Sequence, residues 1–431
     1  MIFIKMKLQR VFRTLINCRN LSSQAKELLK NPEKLELKLQ IPEPEFDIEF
    51  ICNPANRDLI ANNIKCRKGV GNIDKVLELA QNQKMSKELM KELGKIPNMT
   101  DPHVFAYGNE PKVLKSCKTL PNFEFTPESF SQLAKNLNLL RIDELGPVAG
   151  QKSYILLGDL AQMEEALVQY TIRKLMKCDF KLVSVPDILP REIIERCGMV
   201  LDGERNLVYS LENHYGDDLC LSGTAEMSLA MKLMNSQFNY DDLPIKLAAV
   251  SRCFRAEISN STEEQGIYRV HQFTKVEMFA CSNEEKSSEI LDELINIQEN
   301  LLNDLGLYYQ VLDMPSHELG APAARKLDIE GWLPGRKTFG ELSSCSNCTD
   351  FQSRRLNIKY KTINGELKHV HTLNGTACAI PRMLIAILET FQTKEGFIRV
   401  PDKLLPFMNG KTMIKKQNVA DMRNYKLKSH N

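Results

Sequence analysis

Apolar positions along the chain keep two kinds of rhythm. Leu160, Met163, Leu167 and Tyr170 recur at helical spacing, as do Ile290, Leu294, Ile297, Leu301 and Leu305 in a stretch covering 288–305. Ser282 with Glu285 offers the second helix a capping box, and Gly306 a stop. Nearer the N-terminus, helical patterns cover 54–66 and 73–93, separated by Gly69 and Gly71 and closed by Gly94 and Pro97. They predict an antiparallel helical hairpin with about three turns of seam per helix, marginal unless it docks on something larger. Residues 97–121, punctuated by Pro97, Pro102, Pro111 and Pro121, read as loop. Strand runs cluster at 243–257, 267–280, 339–344, 353–362 and 368–373. They follow one another without crossover helices, so the pattern predicts an antiparallel sheet flanked by helices, in the α+β class. No internal repeat is evident.

With 431 residues the chain suits one large domain and a smaller appendage. A hydrophobic fraction of 43% and a charged fraction of 26% belong to an ordinary globular protein. No run approaches the roughly 18 uncharged apolar residues of a membrane span. The net charge of +2 excludes a generic polycation, so any nucleic-acid contact must come from local patches. Twelve cysteines without a regular framework read as reduced thiols. Cys345 and Cys348 have CxxC spacing, but no second pair completes four zinc ligands, so buried thiols are the favoured reading.

The first 26 residues carry Lys5, Lys7, Arg10, Arg13, Arg19 and Lys26 and no acid before Glu27, with Ile2, Phe3, Ile4, Leu8, Val11, Phe12, Leu15 and Ile16 available for an apolar helical face. This is the pattern of a mitochondrial transit peptide, and a solvated basic tail is the competing reading. The Pro- and acid-rich run 41–45 reads as a linker.

The chemistry concentrates in Arg252-Cys-Phe-Arg-Ala-Glu257, a loop, and the run from Gly266 to Glu277, together a predicted hairpin. Alternation would put Arg269, His271, Phe273, Lys275 and Glu277 on one face and Tyr268, Val270, Val276 and Met278 mostly on the core face. Phe273 and Glu277 then lie about 13 Å apart, enough to separate a stacked purine from a small substrate held by the carboxylate. Arg255 and Glu257 share a face of the partner strand.

Phe254-Arg255-Ala256-Glu257 and the run Arg269 to Glu277 resemble motif 2 of class II aminoacyl-tRNA synthetases in its seryl-specific form. Thr224-Ala225-Glu226 is similar to that family's TAE serine-binding element. Glu341 to Asn347, followed by Asp350-Phe-Gln-Ser-Arg-Arg355, resembles its metal and ATP strand. His371 to Arg382 resembles motif 3 of mitochondrial seryl enzymes, and Pro186 the motif 1 proline of the dimer interface. Ile96-Pro97-Asn98 with Pro102-His103-Val104 is similar to the junction before the catalytic domain. The resemblance covers roughly 121–410.

It implies a class II catalytic domain over 121–410 and a tRNA-binding helical domain with a shortened arm over 27–120, while composition assigns a transit peptide to 1–26 and a basic tail to 411–431. It implies catalytic roles for Arg255, Glu277 and Arg382. Serine would be bound by Thr224, Ala225, Glu226, Glu277, Asn374 and Thr376. ATP would meet Arg255, Glu257, Arg269, Phe273, Glu341, Ser344 and Arg382, with Glu341 and Ser344 also holding Mg²⁺. The implied activity is a serine–tRNA ligase of the mitochondrial matrix. Its partners would be tRNA(Ser), serine and a second subunit, as a homodimer or with a synthetase-like paralogue, and no membrane. An inactive paralogue serving as a tRNA-binding or partner subunit is the alternative, and a class II ligase for another amino acid a third reading.

Two departures stand out. Gln265 occupies a position where many relatives carry arginine. The helical arm has only about 20 residues per helix, a reach of about 30 Å. The tail basics Lys411, Lys415, Lys416, Arg423, Lys426 and Lys428, against the single acid Asp421, are one candidate for supplementary tRNA contact. Lys84-Met85-Ser86-Lys87 matches a class I signature, but without a HIGH-like partner or alternating βαβ order it reads as a solvent-facing helical turn.

Overall fold

A computed structural model describes residues 41–81, 85–117, 120–142, 145–199, 201, 206–212, 218–257 and 266–420. The basic leader, Lys84, Gln265 and the tail from Asp421 onward lie outside these residues.

An eight-stranded sheet forms the frame. Its strands are β1 (Lys112–Cys117), β2 (Lys181–Leu182), β3 (Ile245–Phe254), β4 (Gln272–Ser282), β5 (Tyr309–Asp313), β6 (Arg325–Leu333), β7 (Thr338–Asn347) and β8 (His371–Ala379). They lie in the order β1-β5-β6-β7-β8-β4-β3-β2. Every pairing is antiparallel except the short one between β2 and β3. The helices in use below are α1 (Arg57–Cys66), α2 (Ile73–Ala80), α3 (Lys87–Lys95), α4 (Asp159–Lys177), α5 (Ala225–Leu233), α6 (Ser287–Asp304), α7 (Phe351–Leu356) and α8 (Ile380–Phe391).

One face of the sheet is apolar and covered by α4, α6 and α8. Leu160, Met163 and Leu167 of α4, Leu294 and Leu301 of α6, and Leu384 and Ile387 of α8 join Val276, Met278 and Ile329 in one buried cluster. The predicted faces of both long helices are therefore the buried ones. α5 and α7 pack against β3, β4 and β8.

Several expectations change. Residues 353–362 are not a strand: α7 occupies Phe351–Leu356, and Lys359–Lys361 pairs in a separate small sheet. Ser353 drives the turn by donating to the Asp350 and Val370 carbonyls at 3.0 and 2.6 Å. The run 267–280 becomes strand only from Gln272. The loop-like stretch 97–121 contains β1, the sheet edge, while β5 and β6 have no counterpart among the predicted runs. The Ser282–Glu285 capping box is absent. Asn283 Oδ1 accepts from the Lys286 amide at 2.9 Å instead, while Ser282 donates to the Asn283 carbonyl.

The helical hairpin is replaced by three short helices. Ser86 caps α3 by accepting from the Leu89 amide at 3.1 Å, which starts a new helix where one continuous helix was expected. Ile60, Ile64, Ile73, Val76, Leu89, Leu93 and Ile96 form a small core of their own. This unit is clamped to the large domain. Arg67, 4% exposed, donates to the carbonyls of Asn98 (2.9 Å), Ala323 (2.7 Å), Ala321 (3.3 Å) and Gly320. Burial pushes its guanidinium down to about 10. Asn98 donates to the Pro322 and Cys348 carbonyls at 2.8 and 2.9 Å. At the other end of the chain, Asn138 donates to the Gln417 and Val419 carbonyls, so the first residues after 410 are docked.

Arg67→Met should remove the clamp while keeping apolar bulk, at a cost of about 2 kcal/mol. Limited proteolysis is expected to cleave residues 42–100 faster in the variant and to leave the large domain's fragments unchanged.

Candidate active site

The polar face of the sheet opens into a cavity of about 400 Å³. Four strands and two helix starts supply its chemistry. On β4, alternation directs Phe273, Lys275 and Glu277 into it. Arg255 and Glu257 enter just after β3 ends. On β7 a bulge does the positioning. Ser344 pairs with Asp328 and Glu341 with Glu330, so two residues three apart align with two residues of β6 that are two apart and share a face. From β8 come Asn374 and Thr376, and from the first turn of α8, behind Pro381, comes Arg382. Thr224 caps α5 by accepting from the Glu226 amide at 3.3 Å, which sets Glu226 at the cavity wall.

Of the predicted site residues, Thr224, Glu226, Arg255, Glu257, Arg269, Phe273, Glu277, Glu341, Ser344, Asn374, Thr376 and Arg382 all line this one cavity. Ala225 does not: as the first residue of α5 it is 1% exposed and packed in the interior. His271 also departs from its expected face. Residues 266–271 form a turn, so strict alternation fails there. His271 faces a neighbouring cavity, with Nδ1 2.8 Å from the Tyr209 hydroxyl. For the same reason Tyr268, expected on the core face, lines the site.

The charges are arranged in two groups. At one end Arg382 Nη1 lies 3.2 Å from a Glu341 carboxylate oxygen, and its guanidinium stacks 4.5 Å from the Tyr268 ring centroid. Burial alone would raise Glu341, but the Arg382 and Lys326 cations hold its carboxyl below the usual range. At the other end, Glu277 is 1% exposed and ion-paired with Lys275. Glu226 accepts from Gln352 Nε2 at 2.6 Å and from Asn374 Nδ2 at 2.9 Å. Burial and the nearby Glu277 carboxylate push Glu226 up to about 7. Between the groups, the Arg255 guanidinium sits 5.3 Å from the Phe273 ring centroid and 3.4 Å from the Gly223 carbonyl. Arg269 reaches Glu257 at 3.4 Å. The cavity thus has a cationic, aromatic half and an anionic, hydroxyl-bearing half.

Sequence reasoning missed Lys326, Tyr268 and Gln352. Lys326 could have been found from the alternation of Lys326 and Asp328, while Gln352 had no signal beyond its place in the Asp350–Arg355 run. Cys345 packs in the core and Cys348 faces the cavity, an arrangement of two buried thiols rather than a shared ligand pair.

This sheet, with its guanidinium groups and stacked ring on one face, defines a class II aminoacyl-tRNA synthetase core. Residues 209–391 match the family model described as the tRNA synthetase class II core domain (G, H, P, S and T). Over 335 residues the chain is 41% identical to the serine–tRNA ligase of Treponema denticola, covering 77% of this chain and 78% of that protein. It is 44% identical over 318 residues to the mitochondrial serine–tRNA ligase of Bos taurus, covering 73% of this chain and 61% of the bovine protein. A crystal structure of the cytoplasmic serine–tRNA ligase of Naegleria fowleri in complex with AMP superposes with a TM-score of 0.76 at 28% identity, over 88% of this chain and all of that one. The chain belongs to the serine–tRNA ligase family.

Cys197 and Cys348 line the cavity, yet burial first, and the Glu226 carboxylate second, push both thiols well above their ordinary value. Alkylation by iodoacetamide at pH 7.5, followed by mass spectrometry, should modify both at least about tenfold more slowly than a free solvent-exposed thiol.

Proposed function

We propose that the protein activates serine with ATP to seryl-adenylate and pyrophosphate, and then transfers the seryl group to a terminal ribose hydroxyl of tRNA(Ser). One observation carries this reading: the cationic half and the anionic half belong to a single cavity, so a nucleotide and an amino acid can be held side by side. Phe273 stacks on adenine. Arg255 grips the α-phosphate and the serine carboxylate with a planar fork. Arg269 and Arg382 hold the outer phosphates, Arg382 from a helix N-terminus that itself favours anions. Glu257 orients Arg269 and lies beside the nucleotide. Glu226 and Glu277 take the serine ammonium, and Thr224, Asn374 and Thr376 complete the polar enclosure around its hydroxyl.

Glu341 and Ser344 suit a hard divalent cation. The carboxylate is held ionised beside two cations, and the bulge turns both oxygens to one face. Glu341 and Ser344 would hold a Mg²⁺ there, and it would supply positive charge against the triphosphate. The residues themselves position and neutralise. The serine carboxylate attacks the α-phosphate in line, pyrophosphate leaves, and no side-chain nucleophile is needed. Rejection of analogues lacking the hydroxyl follows from the polar groups they would leave unpaired.

We place the protein in the mitochondrial matrix, supported by the acid-free amphipathic leader and by mitochondrial relatives, and we expect it to work as a dimer, either homotypic or with a synthetase-like paralogue. The inactive-paralogue reading expects loss of the phosphate-binding arginines or of Glu341, and all are retained. Serine-dependent ATP–pyrophosphate exchange by the purified protein tests the proposal, with threonine, alanine and glycine as comparison substrates. Exchange that is no faster with serine than without amino acid would contradict it.

Arg382→Ala should slow exchange by about 10²–10³-fold while the circular dichroism spectrum is unchanged. The pH profile offers a second check. Glu226 sits at about 7 in the folded protein, so the anionic form that attracts an ammonium is lost as pH falls through that value. The kcat/KM for serine should therefore drop by up to about tenfold per pH unit below 7, with a smaller change for ATP.

A further inference from the structure

Gln352 lies beneath the anionic half of the cavity without lining it. Its side chain is completely buried. It comes from α7, the short helix that replaces a predicted strand. Three contacts hold this helix in place. Ser353 bonds the Val370 carbonyl at 2.6 Å, Arg354 meets Asp350 at 2.6 Å, and the Arg355 guanidinium lies over the Phe351 ring at 3.4 Å.

The orientation of the Gln352 amide is fixed by its partners. The Cys197 carbonyl can only accept, so the amide nitrogen must face it, and the buried Thr372 hydroxyl donates to Oε1 at 2.8 Å on the other side. Nε2 then donates to Glu226 at 2.6 Å and to the Cys197 carbonyl at 3.3 Å. Thr372 stands on the same face of β8 as Asn374 and Thr376, so one strand face supplies the wall of the site and the brace behind it. The other Glu226 oxygen accepts from Asn374 at 2.9 Å. Each oxygen of that carboxylate thus has one amide donor, which leaves its remaining lone pairs for a ligand.

Resting on the serine-activating reading above, we propose that Gln352, held by Thr372, is a positioning residue for the serine ammonium: it fixes the rotamer of Glu226 and keeps that carboxylate an acceptor. The groups facing Glu226 make such a brace necessary. Glu277 from β4 opposes its ionisation, whereas Lys275 from β4 and Arg255 beyond β3 favour it, and the Cys197 and Cys348 thiols supply no charge at neutral pH. An N–H donor to an anionic oxygen stabilises the anion selectively. Protonated, Glu226 would offer an O–H where an ammonium needs an acceptor.

The test compares Gln352→Met, similar in volume but without donor or acceptor, with Thr372→Val, which frees the Gln352 amide. Pyrophosphate exchange is followed as a function of serine, ATP and pH. Gln352→Met should raise the KM for serine about tenfold, leave kcat and the KM for ATP within about twofold, and move the acid limb of kcat/KM for serine to higher pH. Thr372→Val should shift the same quantities in the same direction by a smaller factor, and it decides the matter if Gln352→Met does not fold. Wild-type serine KM and acid limb in a folded variant would overturn the inference, as would equal rises in the KM for serine and for ATP. If the unaltered protein shows no serine-dependent exchange, the parent reading fails as well.

Discussion

Taking charge out of water costs several kcal/mol per ion, and this molecule gathers Glu226, Glu277, Glu341, Arg255 and Arg382 in one cavity on the polar face of a sheet whose other face is the apolar core. That is sustainable because most of these charges are matched in place. Lys275 neutralises Glu277, Arg382 and Lys326 hold Glu341 ionised, and amides brace Glu226. The antiparallel sheet makes the matching possible. Period-two alternation sends Val276 and Met278 into the core and Lys275 and Glu277 into the cavity from adjacent positions. A bulge in β7 adjusts the register where two oxygens must face the same way.

The chemistry of the site was more legible than its scaffold. Phe273, Lys275 and Glu277 could be placed because they lie on a regular strand, where alternation holds. Tyr268 and His271 were misplaced because their segment is a turn, and turns do not alternate. Gln352 was invisible as a brace because a run ending in two arginines reads equally well as an exposed strand. Its burial depends on Ser353 and Thr372, contacts set by tertiary structure. Ala225 sits at a motif position, but its side chain is buried in α5 and only its neighbours line the cavity.

The N-terminal unit shows the limits of periodicity in another way. Residues 73–93 have a helical apolar rhythm throughout, and rhythm alone cannot reveal a break. Ser86 restarts the helix by capping it, and the resulting three-helix unit closes on its own small core. Arg67 and Asn98 then fasten it to the 320–323 loop, part of the cavity wall. The helical unit is therefore tied to the cavity wall through backbone carbonyls, while ion pairs of Glu45 with Lys359 and of Asp47 with Arg354 add further ties to the large domain, and no sequence pattern reports these contacts.

The proposed reaction requires one cavity to receive a nucleotide and an amino acid together. A crystal structure of the protein with a non-hydrolysable seryl-adenylate analogue tests this most directly. The adenine should lie against Phe273, the phosphate mimic beside Arg255, and the ammonium between Glu226 and Glu277. An analogue bound elsewhere, or seated with its ammonium among the arginines, would contradict it.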